Sequence, residues 1–193
     1  KIMGKRANGG DYTSSNGLAH TSFGLPRFQS ASFSARFPFA SIDLCDDRMS
    51  LEVNAEAWSP FIPGNADDSG LPTGSIVYTF HNPAKDALEL VYSFHAMNFM
   101  ASGSGGEYVE AGQRRFVLCQ PTVDDKPWEE GAFTAELADN GTRVYTSWFR
   151  GAWFDALTML WKKIAAGETP EAGAPTEGRP SPGGSLFLPI TLK

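Results

Sequence analysis

The sequence predicts an all-β fold, an antiparallel β-sandwich with one short helix, and three observations predict it. Runs of alternating apolar and polar residues recur at regular spacing along most of the chain, the period of half-buried strands. Turn formers separate those runs: 20 glycines and 13 prolines among 193 residues exceed the roughly 12% that these two residues supply on average. One stretch alone changes to helical spacing. With 41% hydrophobic residues, the composition is that of a globular chain, long enough for one sizeable core or two small ones.

Residues 1–23 read as an irregular segment rich in turn formers such as Gly9-Gly10 and Asn16-Gly17. From Phe28 the period is two. Phe33, Ala35, Phe37 and Phe39 would share one strand face, with Pro38 marking an edge or a break, and Ile42 and Leu44 carry the next short strand. Leu51, Val53, Ala55 and Ala57 alternate with Glu52, Asn54, Glu56 and Trp58, a strand with one buried and one solvated or site-facing side. A loop over 59–74 follows. Ile76, Tyr78 and Phe80, then Leu88, Leu90, Tyr92 and Phe94, are expected to pair as a hairpin across 81–87. Residues 101–106 read as a flexible loop and 116–120 as another strand. Phe133, Ala135 and Leu137 lead to Asp139-Asn140-Gly141, and Val144, Thr146 and Trp148 lead away from it; Asn-Gly between such runs predicts a second hairpin. Phe154, Leu157, Leu160, Trp161 and Ile164 fit a helix over 155–166, with Gly167 placed to end it. A Pro/Gly-rich loop over 167–184 precedes a final strand through Leu186, Leu188, Ile190 and Leu192.

The formal charge of −6, from 22 acidic and 16 basic residues, and the lack of a basic cluster argue against a nucleic-acid partner. No stretch approaches the roughly 18 apolar residues of a spanning helix. Lys1–Gly10 lacks the apolar core of a signal peptide, which favours the cytoplasm, although the chain does not begin with Met and reads as a piece of something longer. Cys45 and Cys119 lie far apart in strand-like stretches and are expected to be buried free thiols rather than a disulfide.

The usual catalytic signatures are missing. His20, His81 and His95 are scattered, with no zinc-ligand spacing; His95 is expected to pack in or on a strand. No nucleophile elbow occurs, and the glycine-rich 102–106 opens no helix that could cradle phosphate. Asn65, Asp67, Ser69 and Gly70 match the first half of a calcium loop, but its twelfth position is Ile76 rather than a carboxylate; an Asx-type turn is the better reading. Neither a metal nor a cofactor is expected. Glu52 and Glu56 share a strand face roughly 13 Å apart, too far for the carboxylate pair of a glycosidase. Of the tryptophans, Trp148 and Trp161 are expected in the core. Trp58 stands opposite the apolar face of its strand, beside the long loop, and is the one best placed to touch a ligand or a partner domain.

The run Glu56-Ala57-Trp58-Ser59-Pro60-Phe61-Ile62-Pro63-Gly64-Asn65-Ala66-Asp67-Asp68-Ser69-Gly70-Leu71-Pro72 resembles the N-terminal domain of glycoside hydrolase family 116, which includes bacterial β-glucosidases and non-lysosomal glucosylceramidases. Gly24-Leu25-Pro26-Arg27-Phe28, Ala35-Arg36-Phe37-Pro38-Phe39, Tyr78-Thr79-Phe80-His81-Asn82-Pro83, Trp148-Phe149-Arg150-Gly151, Leu157-Thr158-Met159-Leu160-Trp161 and Pro182-Gly183-Gly184-Ser185-Leu186 are similar to it too. The resemblance runs from about residue 24 to the end. It implies a supersandwich-like β-sandwich over 24–193 that precedes a C-terminal (α/α)6 barrel of the same polypeptide, the barrel carrying the Glu nucleophile and Asp acid/base of a retaining mechanism. Neither catalytic residue falls in this chain, which is expected to be inactive alone and to brace the barrel, with a glucoside at the domain boundary. Trp58, Phe61, Asn65, Asp67, Asp68 and Arg150 are the candidates for facing the substrate or the barrel, with the loop 60–72 as the main element. The alternative is a free-standing carbohydrate-binding module, favoured if Trp58, Trp128 or Trp153 lies exposed on a flat face.

Overall fold

The computed structural model describes residues 26–150, 156–171 and 180–193. The chain is mostly antiparallel strands in three sheets, as the all-β reading predicts. It divides into two compact units, one around residues 26–89 and one around 90–190.

The first unit is a four-stranded meander in sequence order: β1 (Ser30–Arg36), β2 (Phe39–Cys45), β3 (Glu52–Trp58) and β4 (Ser75–His81). Its register sorts the side chains cleanly. Phe33, Ile42, Ala55 and Tyr78 lie in one row across the four strands, flanked by the rows Ala31–Leu44–Val53–Phe80 and Ala35–Ala40–Ala57–Ile76. That face is apolar throughout, and Val53 and Ala55 on the central strand are buried. The other face carries Ser30, Ser32, Ser34 and Arg36 of β1, and Glu52, Asn54, Glu56 and Trp58 of β3. Pro38 turns out to sit in a two-residue hairpin turn, Phe37–Pro38, which pairs Arg36 with Phe39. Phe39 therefore lies on the polar face, opposite to Phe33 and Ala35, not beside them as a continuous strand would require. After β2, Asp46 accepts from the Nε, Nη2 and backbone N–H of Arg48, and these bonds hold its carboxyl down at about 2.

The second unit has the larger core. One sheet has the order β5 (Leu88–Met97), β10 (Gly183–Leu192), β9 (Arg143–Tyr145); the other has β6 (Tyr108–Ala111), β7 (Arg115–Gln120), β8 (Gly131–Glu136). Phe116, Leu118 and Ala135 of the second sheet close on Val144 and Leu186 of the first, with Phe94, Ala96, Val109 and Phe133 packed around them. Phe116 is fully buried and stacks on Phe94 with ring centroids 6.3 Å apart. Gly184 makes this possible: a Cβ there would stand 2.5 Å from the Phe116 ring.

Because side chains alternate along β10, its other face receives the helix α2 (Ala156–Ala165). Phe187, Trp148, Ala156 and Leu160 form this second cluster, with Leu157 and Ile164 beside it. The predicted helix is thus present, and it ends as its sequence suggests. Gly167 takes φ of 70°, Gly167 N–H bonds to Ile164 C=O, and Glu168 N–H bonds to Lys163 C=O, which is a Schellman ending. His95 packs in this layer, as expected, edge-on to Phe187. Trp148 Nε1–H donates to Ser185 Oγ at 2.8 Å, and His95 reaches Ser185 Oγ and Ser93 Oγ at 2.9 Å each. With Trp148 donating, the Ser185 hydroxyl is free to donate to Nδ1, which suits a neutral imidazole. Burial pushes His95 down to about 4.

Two pairings differ from the expectations. β4 and β5 are not a hairpin: β4 pairs with β3 and β5 with β10. Asp139–Gly141 is not a hairpin turn either, since β8 pairs with β7 while β9 pairs with β10; the turn carries the chain from one sheet to the other. Trp148 is core, 3% exposed, but β9 has ended before it. Both cysteines are free, with Cys119 buried and Cys45 exposed. Trp161 is half-buried, and Phe154 and Trp153 lie outside the described residues.

Candidate functional site

The sequence candidates divide between the two units. Trp58, Phe61, Asn65, Asp67 and Asp68 belong to the first; Arg150 belongs to the second, half-buried just after Trp148.

The loop that follows β3 is held by its own bonds. Ile62 and Asn65 form an isolated bridge around Gly64, whose φ is 81°. Ser69 Oγ accepts from Ile62 N–H at 2.9 Å and donates to Ile62 C=O at 3.1 Å. Between these points runs a single helical turn, α1 (Ala66–Ser69), capped by Asn65. Asn65 Oδ1 accepts from Asp68 N–H at 3.1 Å, and Asn65 Nδ2 donates to Asp68 Oδ2 at 2.7 Å. The Asx-type reading thus describes the segment: Asn65 and Asp68 are engaged with each other. Among the described residues, no group of three or more His, Cys, Asp or Glu side chains is placed to hold a metal ion. Phe61 is exposed and meets the Phe37 ring edge-on, with centroids 4.7 Å apart.

Trp58 is half exposed, at 42%, and closes β3 on the polar face. Register puts it in a row with Arg36, Phe39 and Ser75, next to the row Ser34–Ser41–Glu56–Val77. These two rows enclose an open concavity of about 380 Å³ lined by Ser34, Arg36, Phe39, Ser41, Glu56 and Trp58, together with Ala40 and Val77. Of this set, the sequence alone points to Trp58 as a contact residue. Arg36 and Phe39 come beside it through the Phe37–Pro38 turn, where the sequence shows only an edge or a break. Glu56 does not pair with Glu52, whose carboxylate meets His81 Nδ1 at 3.0 Å.

Among the described residues, no helix is long and apolar enough to cross a membrane. A search of curated proteins gave no match. The family model described as beta-glucosidase 2, glycosyl-hydrolase family 116 N-term matches residues 5–193, reaching further upstream than residue 24, where the motif resemblance begins. With nearly its whole length matched, the chain belongs to the N-terminal-domain family of glycosyl-hydrolase family 116.

Proposed function

We propose that this is the non-catalytic N-terminal domain of a retaining β-glucosidase- or glucosylceramidase-like glycoside hydrolase, and that it packs on and braces a C-terminal (α/α)6 barrel of the same polypeptide. Family membership supports the enzyme class. The observation that carries the docking role is the concentration of exposed apolar side chains on the first unit. Phe33, Phe37, Phe61, Ile62, Leu71 and Ile76 are each between 46% and 74% exposed. Apolar surface gathered in this way marks an interaction site, and a barrel supplies the cover.

The loop 60–72 is the main barrel-facing or cleft-facing element. Its internal bonds fix the backbone, so Phe61 and Asp67 are presented with little ordering cost on contact. Trp58 stands at its base; in the second unit, Arg150 is the candidate for facing the substrate or the barrel. The reacting carboxylates belong to the barrel, where a retaining pair needs a separation of about 5–5.5 Å; the glucoside lies at the domain boundary.

Two measurements test this. The purified 193-residue chain should not turn over an aryl β-glucoside; turnover that disappears in Glu56→Gln or Asp67→Asn would overturn the non-catalytic role. An immunoblot of source cells against this segment should show a band several-fold larger than 20.9 kDa; a band at that mass would overturn the docking role.

A further inference from the structure

We propose that the polar face of the β1–β4 sheet binds a neutral pyranose sugar in the concavity formed by Trp58, Phe39, Arg36, Glu56, Ser34 and Ser41. This is a binding site of the chain's own, independent of whether the first unit also docks a barrel.

The hydrogen-bonding state of this face carries the argument. Elsewhere on this face two charged or amide pairs meet across strands: Asn54 Nδ2 donates to Asp43 Oδ1 at 2.8 Å, and Glu52 meets His81 at 3.0 Å. In the two rows that line the concavity the pattern stops. Among the described residues, the side chains of Arg36, Glu56, Ser34 and Ser41 enter no such pairing. Arg36 and Glu56 cannot close on each other easily, because they stand two strands apart, about 9–10 Å in the pairing direction.

The open groups are of mixed kind. A guanidinium offers five N–H donors, a carboxylate only accepts, and hydroxyls do both. A pyranose presents a ring of hydroxyls that each donate and accept, so it can use all three. One positive and one negative group give the concavity no net formal charge, which favours a neutral ligand over a phosphate or an amine. Trp58 and Phe39 face each other directly across β2 and β3. Their electron-rich faces suit the slightly positive C–H groups of a sugar ring. The volume, about 380 Å³, falls within the roughly 300–1,000 Å³ of small-molecule clefts.

The test is a titration of the whole chain with methyl β-D-glucopyranoside and with cellotetraose, read by tryptophan fluorescence and calorimetry. Saturable binding is expected with Kd on the order of 1 mM, weakened roughly tenfold or more in Trp58→Ala. Trp128→Ala, which removes an exposed tryptophan of the second unit, should bind as the parent does. If Trp58→Ala does not fold, Glu56→Gln and Arg36→Gln carry the same expectation, with unchanged circular dichroism as the check. No saturation by about 100 mM, parental affinity in all three variants, or preference for glucuronate or glucosamine over the neutral sugars would each overturn the proposal. So would shielding of Trp58 from acrylamide in the longer polypeptide without added sugar, since the face would then be a protein interface.

Discussion

The two units are built from the same kind of strand but bury different amounts of it. In the second, both faces of the β5–β10–β9 sheet are covered, one by β6–β8 and one by α2. Phe116, Leu118, Leu186 and Phe187 are almost completely inaccessible there. In the first, Val53 and Ala55 are the only buried apolar side chains among the described residues, while Phe33, Phe37, Phe39, Phe61, Ile76 and Tyr78 remain exposed. Strand pairing alone thus defines the first unit's shape, and packing defines the second's. A sheet that keeps its aromatic residues at the surface is suited to contact, and one that buries them on both sides is suited to hold.

The largest expected effect comes from emptying the second unit's core. Phe116→Ala should cost about 3–5 kcal/mol, while Phe33→Ala, at a site 67% exposed, should stay within about 0.5 kcal/mol. Urea denaturation of both variants measures the contrast, and equal losses would break it.

Acid should separate the units next. His95 titrates at about 4 when folded against 6.5 when unfolded, so between these values the unfolded chain binds more protons. Its contribution is fully present above pH 6.5 and drains as the pH falls through about 4, by on the order of 3 kcal/mol. His95→Gln should flatten that part of the stability profile. The first unit's acid sensitivity lies lower. Asp46, held down to about 2 chiefly by its hydrogen bond from Arg48, supports folding above about pH 3.8 and loses that support as the pH falls through 2. Amide exchange resolved by unit, followed from pH 7 to pH 3, should show the second unit loosening first.

The smallest effect is local. Asn65→Ala removes the cap of α1 and should cost about 1 kcal/mol, seen as faster amide exchange at Asp68 and Ser69 with the second unit unchanged.

Most strands were legible because a half-buried strand writes its burial into a two-residue period. The partners of those strands were not. Asp139-Asn140-Gly141 reverses the chain as its composition dictates, but a reversal does not decide whether the next strand stays in the same sheet. Val144 is drawn instead to Leu186, more than forty residues later, because that pairing closes the core around Phe116. The same holds for β4 and β5. For the candidate site, Trp58 could be read from one strand alone. Arg36 and Phe39 could not, because their place beside it depends on a register set by the Phe37–Pro38 turn.

The position of β10 between β5 and β9 has a kinetic consequence. The first unit's sheet follows chain order, so each strand can pair with the one just before it, a topology of short loop closures. The second unit's central strand is made of residues 183–192, and β5 and β9 have no common partner until those residues leave the ribosome. During synthesis, Phe94 and Phe116 must therefore wait for Gly183–Leu192 to emerge before the layer that buries them is complete. That interval is when the chain is most exposed to aggregation, and it closes with the emergence of a single strand.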